Sequence, residues 1–364
     1  MLKLPLLFLL TGVLLIGTAI GCAPEPSPTP TPTPTPSPTP SQPAPSEITW
    51  RMQTWAAAAD LTHKATERYA ATVEEMSEGR LKINTFPAGG VVPVRQEHES
   101  VMLGTVEAIM APDGWMEAYN KASYLFSQYV DGPTGVQLMF WDLAGGGRQL
   151  SQELVQDFPV HFVGPLTVHP AEVDLHSNEH IQSLADMQGL KVRMGSAPLA
   201  EIYTRLGAAP VVLSGAEIYE AAQRGVIDAF EYVTPSVNWS MGFQEVADYM
   251  YLSPVRAPAD RQSIWVNEEA WNELSPELQT IVTKAAEALV PRFFAETIVA
   301  DAAALDAFRD YGVTILSTPE DIEEELKRVA EQYFDEEAAR DPFFAKVLES
   351  QRTFKAYCEE QNIQ

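Results

Sequence analysis

An α/β architecture with two domains is expected for this chain on three grounds. From Ser183 to Pro235, short β-rich runs alternate with helices stopped by glycine. The stretch from Ile48 to Pro112 repeats that order, and the run from Pro276 to Tyr311 reads as a helix longer than one domain needs. Helical crossovers of this length imply parallel strands, and in open parallel sheets ligands bind beyond the carboxyl ends of the strands. At 364 residues the chain also exceeds what one small core requires.

Taken in order, residues 1–22 hold one basic residue, Lys3, then an apolar run ending in AIGC. This is a secretory leader with a lipobox, and Cys22 is the expected lipidated N-terminus. The only other cysteine is Cys358, so no disulfide is expected in one lipidated chain. Residues 23–46 alternate Pro with Thr and Ser. They are read as a polyproline II stalk, reaching about 70 Å at about 3.1 Å per residue. Removing Lys3 takes the formal charge from −26 to −27, a surface that repels nucleic acid and anionic lipid.

The first unit reads as strand ITWRMQTW, helix LTHKATERYAATVEEM, strand RLKINTF, loop PAGGVVP, helix RQEHESVML and strand TVEAIMAP. Aromatics and glycines fill 113–160, most of them expected in the core. Trp115, just after the third strand, is placed on a cleft wall, as is Trp55 at the end of the first. In the second unit GLKVR is a strand and PLAEIYTRLG a helix. APVVL follows as a strand, SGAEIYEAAQRG as a helix with a Ser214/Glu217 capping box, and VIDAFEYV as the third strand. RQSIWVN returns as a strand; Pro291 is expected to kink the long helix that follows, and Gly312 to stop it. VTIL, an acidic helix and a final helix over FFAKVLESQRTFKAYCEEQ complete the chain.

Arg193 ends the first strand of the second unit, and Glu231–Tyr232 end its third. A guanidinium, a carboxylate and an aromatic therefore face one crevice. Arginine presents a planar donor fork that matches a carboxylate and stays charged. From Ala122 to Leu190 the only cation is Arg148, so Arg193 is expected to be the sole cation near these acids. A rival set is His161, His169, His176 and His180 near Glu172. Its spacing suits a zinc-binding lipoprotein or a metallohydrolase. No HExxH, GxSxG, Walker or GxGxxG motif is present, so no enzyme constellation is expected.

FPAGGVV, GLKVRMGS, GVIDAFEYVTP and WVNEEAW, in that order, resemble the solute-binding proteins of tripartite ATP-independent periplasmic (TRAP) transporters. The resemblance spans Ile48 to about Phe354, and is greatest to the branch that binds 2-oxo or 2-hydroxy monocarboxylates with a metal ion. It implies a periplasmic-binding-protein-like clamp, extracytoplasmic and lipid-anchored, that hands an organic acid to a membrane permease. A ligand-bound sensor partner is the alternative use of such a clamp. The implied domains are 47–170 with about 256–270 and the C-terminal helix, and 171–255 with about 312–335, bridged by helix 276–311. The family's clamping arginine falls on Arg193. Its metal ligands fall on Glu231, the Tyr232 carbonyl and Glu172, where the branch commonly has glutamine. The added carboxylate favours Ca²⁺ over Na⁺, because like charges 4 Å apart cost about 4 kcal/mol at an effective dielectric near 20. The chain stops soon after RTFKAYCEEQ, which is short for a helix-exchanged dimer, so a monomer is expected.

Overall fold

The structure, a computed structural model, describes residues 47–363. The expected leader, Cys22 and the proline-rich stalk lie outside the described residues.

The first unit runs β1 (Ile48–Thr54), helix Leu61–Met76, β2 (Leu81–Phe86), helix Glu97–Met102 and β3 (Ala108–Pro112). Asp60 caps the first helix by accepting from the Thr62 amide at 2.7 Å. Both helical crossovers return the chain in parallel, so β1 lies between β2 and β3. Three short helices follow, over Ser123–Phe126, Gly135–Ala144 and Gly147–Leu154. The chain then enters β4 (Val160–His169), a strand the sequence patterns do not announce. Its centre, Gly164-Pro165, looks like a turn, yet the strand absorbs it with register shifts on either side.

Next come β5 (Val173–Ser177), β6 (Lys191–Met194), β7 (Ala209–Val212), β8 (Ala229–Phe230) and β9 (Tyr249–Leu252), then β10 (Asp260–Asn267) and β11 (Thr314–Ser317). One sheet has the order β2-β1-β3-β10-β4, the other β11-β9-β5-β8-β6-β7. The chain therefore passes between sheets at residues 170–172, again at 253–259, and a third time through the helix Pro276–Tyr311. That helix packs on β4 of the first sheet and on the Pro235–Ser240 helix that follows β8 of the second. Ser275 caps its start and Gly312, at φ +113°, its end. Pro291 lies inside one continuous helix.

β8 is shorter than VIDAFEYV suggests, with only Ala229 and Phe230 in the ladder. The next carbonyls go elsewhere: Arg193 Nη1 donates to the Glu231 carbonyl at 2.8 Å, and Arg256 Nη2 reaches that of Tyr232 at 3.4 Å. The strand ends where side-chain cations take over its acceptors.

Arg261 of β10 fastens the first sheet to the helices before β4. Its Nε donates to Asp113 at 2.7 Å and its Nη2 to Ser151 at 3.0 Å, between the rings of Phe126 and Phe162. Removing one partner of a fully buried ion pair leaves the other charge uncompensated. Arg261→Ala is therefore expected to lower unfolding stability by about 3–5 kcal/mol in chemical denaturation; a change within about 0.5 kcal/mol would contradict this role.

Candidate functional site

Between the two sheets lies a cavity of about 250 Å³. Trp55, Arg95, Trp115, Asp260 and Gln262 line it from the first-sheet side, and Glu172, Arg193, Glu231 and Tyr232 from the other. The residues expected at the crevice, Trp55 and Trp115 included, thus meet in one place.

Arg193 is held by the strand beside it. Its Nε donates to the Leu213 carbonyl at 2.9 Å, and its Nη1 to the carbonyl and Oε1 of Glu231 at 2.8 and 3.1 Å. Nη2 has no protein hydrogen bond among the described residues and is left for the cavity. The Tyr232 ring lies 5.6 Å from the guanidinium carbon, a cation–π contact that fixes its plane. Gly215 permits this, since a β-carbon there would meet the tyrosine ring at 2.6 Å. Glu231 also accepts from the Gly195 amide, so its carboxylate is anchored on both sides.

The expectation that Arg193 is the sole nearby cation is overturned by Arg95, on the first-sheet side of the cavity, and above all by Arg256. This residue sits on the second passage between sheets and is 1 % exposed. Its Nη2 donates to Glu172 Oε2 at 2.8 Å and the Val173 carbonyl at 2.7 Å; its Nη1 lies 3.2 Å from Glu231 Oε2. Burial opposes its charge, but Glu231 and Glu172 outweigh that and raise its pKa above the ordinary arginine value. Glu231 therefore lies between two arginines, and Arg256 between two glutamates. The sequence hides Arg256 in LSPVRAPAD, a proline-broken segment without periodicity.

Glu172 Oε1 is buried without a hydrogen-bond partner. Burial pushes Glu172 well above the carboxylate range, with the negative charges of Asp260 and Glu231 adding to the effect. Asp260, also missed in the sequence, accepts from Ser127 Oγ and from Gln262 Nε2 at 2.8 Å. Gln262 in turn receives the Trp55 indole N–H at 2.8 Å. Burial lifts Asp260 to about 6.

The histidines do not assemble. His161 stacks on Trp271 at 3.8 Å, and His180 on Tyr249 at 4.8 Å. His169 packs against Phe293, and His176 stacks on Phe230 while contacting Asn238. Burial lowers His161 and His169 to about 4 and His176 to about 3, which suits neutral packing groups. No group of three His, Cys, Asp or Glu poised for a metal occurs among the described residues. The zinc and metallohydrolase readings therefore lose their ligand set: spacing along the chain placed these rings on different neighbours.

Two facing α/β sheets, joined by crossing segments and enclosing an arginine-anchored cavity, define a clamp-type solute-binding protein. The chain belongs to the DctP family of bacterial extracellular solute-binding proteins, family 7, which matches residues 52–341. It is similar to the monocarboxylate 2-oxoacid-binding periplasmic protein of Nostoc sp., with 29% identity over 85% of this chain and 84% of that protein. Two solved TRAP periplasmic solute-binding proteins share 25% identity and a TM-score of 0.82, covering 87% of this chain and 96% of theirs. The protein from Pseudoalteromonas atlantica holds sodium and pyruvate, and that from Colwellia psychrerythraea calcium and pyruvate.

Asp260 supplies a test of the site's electrostatics. Its folded pKa lies above the ordinary aspartate value, so between about pH 4 and 6 the folded state holds a proton that the unfolded state has lost. The stability associated with protonation is present below pH 4 and lost as pH rises to about 6. Relative to Asp260→Asn, the wild type should lose about 2–3 kcal/mol across that window in denaturant titrations. A flat difference would place Asp260 in a better solvated setting.

Proposed function

We propose that this protein captures a small 2-oxo or 2-hydroxy monocarboxylate, together with a cation, and delivers it to a TRAP permease. The observation that carries this reading is the cavity lined by both Arg193, whose Nη2 makes no protein hydrogen bond among the described residues, and Glu172, one of whose buried oxygens is unpartnered. A cavity of about 250 Å³ suits an acid of a few carbon atoms. Similarity to the pyruvate-binding proteins supports the same ligand class.

The residues present fit a cation. Glu172 Oε1, the Glu231 carboxylate and the Tyr232 carbonyl are hard oxygen donors on one wall, and Glu172 lacks a donor for one oxygen. With all four carboxylates ionised, Glu172, Glu231, Asp260 and a bound monocarboxylate exceed the charge of Arg95, Arg193 and Arg256 by one. That excess favours a bound cation, and the sodium- and calcium-bound relatives make Na⁺ and Ca²⁺ the two candidates. A bound metal would offset this negative charge and draw in the acid's oxygens; Arg193 holds the carboxylate, and Trp55 and Trp115 wall off water.

Binding shifts a population towards closure only when the ligand touches both halves. The cavity draws residues from both, so the two sheets are proposed as the cores of two hinged domains, with 170–172 and 253–259 as hinge segments. A monomer anchored through Cys22 outside the cytoplasm completes the proposal, with release of unchanged ligand rather than turnover.

With calcium present, Arg193→Ala should weaken pyruvate binding at least tenfold by calorimetry, with circular dichroism unchanged, because a buried charge-assisted pair is lost. Chelator-stripped protein should not bind pyruvate at pH 7 until calcium is restored. Unchanged affinity in Arg193→Ala would make this arginine structural, and full affinity without metal would remove the cation from the reading.

A further inference from the structure

Arg95 lines the cavity from the first-sheet side but has no part in the ligand contacts proposed so far. It lies in the loop after β2, one residue before the cap of helix Glu97–Met102, although the sequence pattern would begin that helix at Arg95 itself. Its φ is +74°, a left-handed conformation strained for a residue with a β-carbon and concentrated in proteins at ligand clamps and active sites. The loop is not loose. Gln53 of β1, fully buried, accepts from the Val91 and Val92 amides at 2.7 and 2.8 Å and donates to the Val92 carbonyl at 2.9 Å. Rigid support of a strained residue means its side chain is being aimed.

The aim is across the cleft. Arg95 Nη2 donates to the carbonyl of Gly195, just past β6, at 2.6 Å, and its guanidinium lies 4.7 Å over the Trp115 ring. A β-carbon at Gly195 would lie 3.4 Å from Arg193 Nη2, so the Arg95 guanidinium, bonded to this glycine's carbonyl, and the unbonded end of Arg193 both meet at Gly195. Among the described residues Arg95 has no carboxylate partner within ion-pair distance. Burial and the neighbouring positive charge of Arg193 both lower its pKa. Two guanidiniums from opposite sheets, both lining the cavity and one of them without a carboxylate of its own, favour an anion between them.

We propose that Arg95 is a second carboxylate-binding residue, so that a bound acid is clamped between Arg193 from one sheet and Arg95 from the other. The proposal deepens the reading of the cleft as an organic-acid site and rests on it for the identity of the anion. It also gives closure a direct cause, since the ligand's negative charge is shared by groups on both halves. Its opposite is a latch, in which Arg95 serves only the Gly195 carbonyl.

The test pairs calorimetry with crystals soaked in bromide. Arg95→Gln should weaken pyruvate binding about tenfold or more, with calcium present and thermal unfolding unchanged; Arg95→Lys, which keeps the charge without the fork, should recover part of the loss. Anomalous scattering should place bromide between Arg95 and Arg193 in acid-free wild type, and not in Arg95→Gln. No bromide there overturns the proposal whatever the calorimetry gives. Bromide there with undiminished pyruvate affinity in Arg95→Gln also overturns it, the halide then being an adventitious ion only. Bromide there in a wild type that fails to bind pyruvate refutes the pyruvate reading alone, and leaves the two-arginine anion site standing.

Discussion

Placing the Arg256 guanidinium in a space without water carries a desolvation cost that Glu231 and Glu172 chiefly offset. That ion pair also determines where much of the rest must be. Glu172 lies on the first passage between the sheets and Arg256 on the second, and the two passages are joined by the Glu172 amide donating to Ala257 at 3.0 Å. Glu231 continues the chain of charges to Arg193, at the ends of adjacent strands. The two passages between the sheets and the charged groups lining the cavity are thus parts of one buried network, in which shifting any member leaves another unpaired. Such networks contribute less to stability than to having one arrangement.

The two halves of the cavity differ in character. The second-sheet wall supplies charge through Arg193, Glu231 and Glu172, with the Tyr232 ring holding the arginine in plane. The first-sheet wall supplies the Arg95 guanidinium over Trp115, the edge-to-face pair Trp55–Trp115, and the chain from the Trp55 indole through Gln262 to Asp260. Arg261 secures that wall from behind by holding Asp113, next to the turn that carries Trp115. A few preplaced polar groups among aromatic surface are the usual make-up of small-molecule sites.

The sequence makes legible what is local. Capping pairs such as Ser214/Glu217, glycine stops and alternating crossovers fix the strands, and strand ends point to Arg193 and Glu231. What it conceals is what only folding brings together. Arg256 and Asp260 come from a proline-broken segment, and Arg95 looks like the first residue of a helix. β4 carries a Gly-Pro at its centre, which is accommodated by bulges in β4 on either side of it. The histidines mislead for the converse reason, since His169 and His176 are close in sequence but pack on Phe293 and Phe230.

The account turns on an acid and a cation sharing one cleft, and native mass spectrometry of the purified protein, incubated with pyruvate and calcium, reads both together. The predicted result is one adduct whose mass equals a single small monocarboxylate plus a single metal ion, with both components lost in the same step as collision energy rises. An adduct of metal alone, of a ligand without a carboxyl group, or no adduct at all would contradict it.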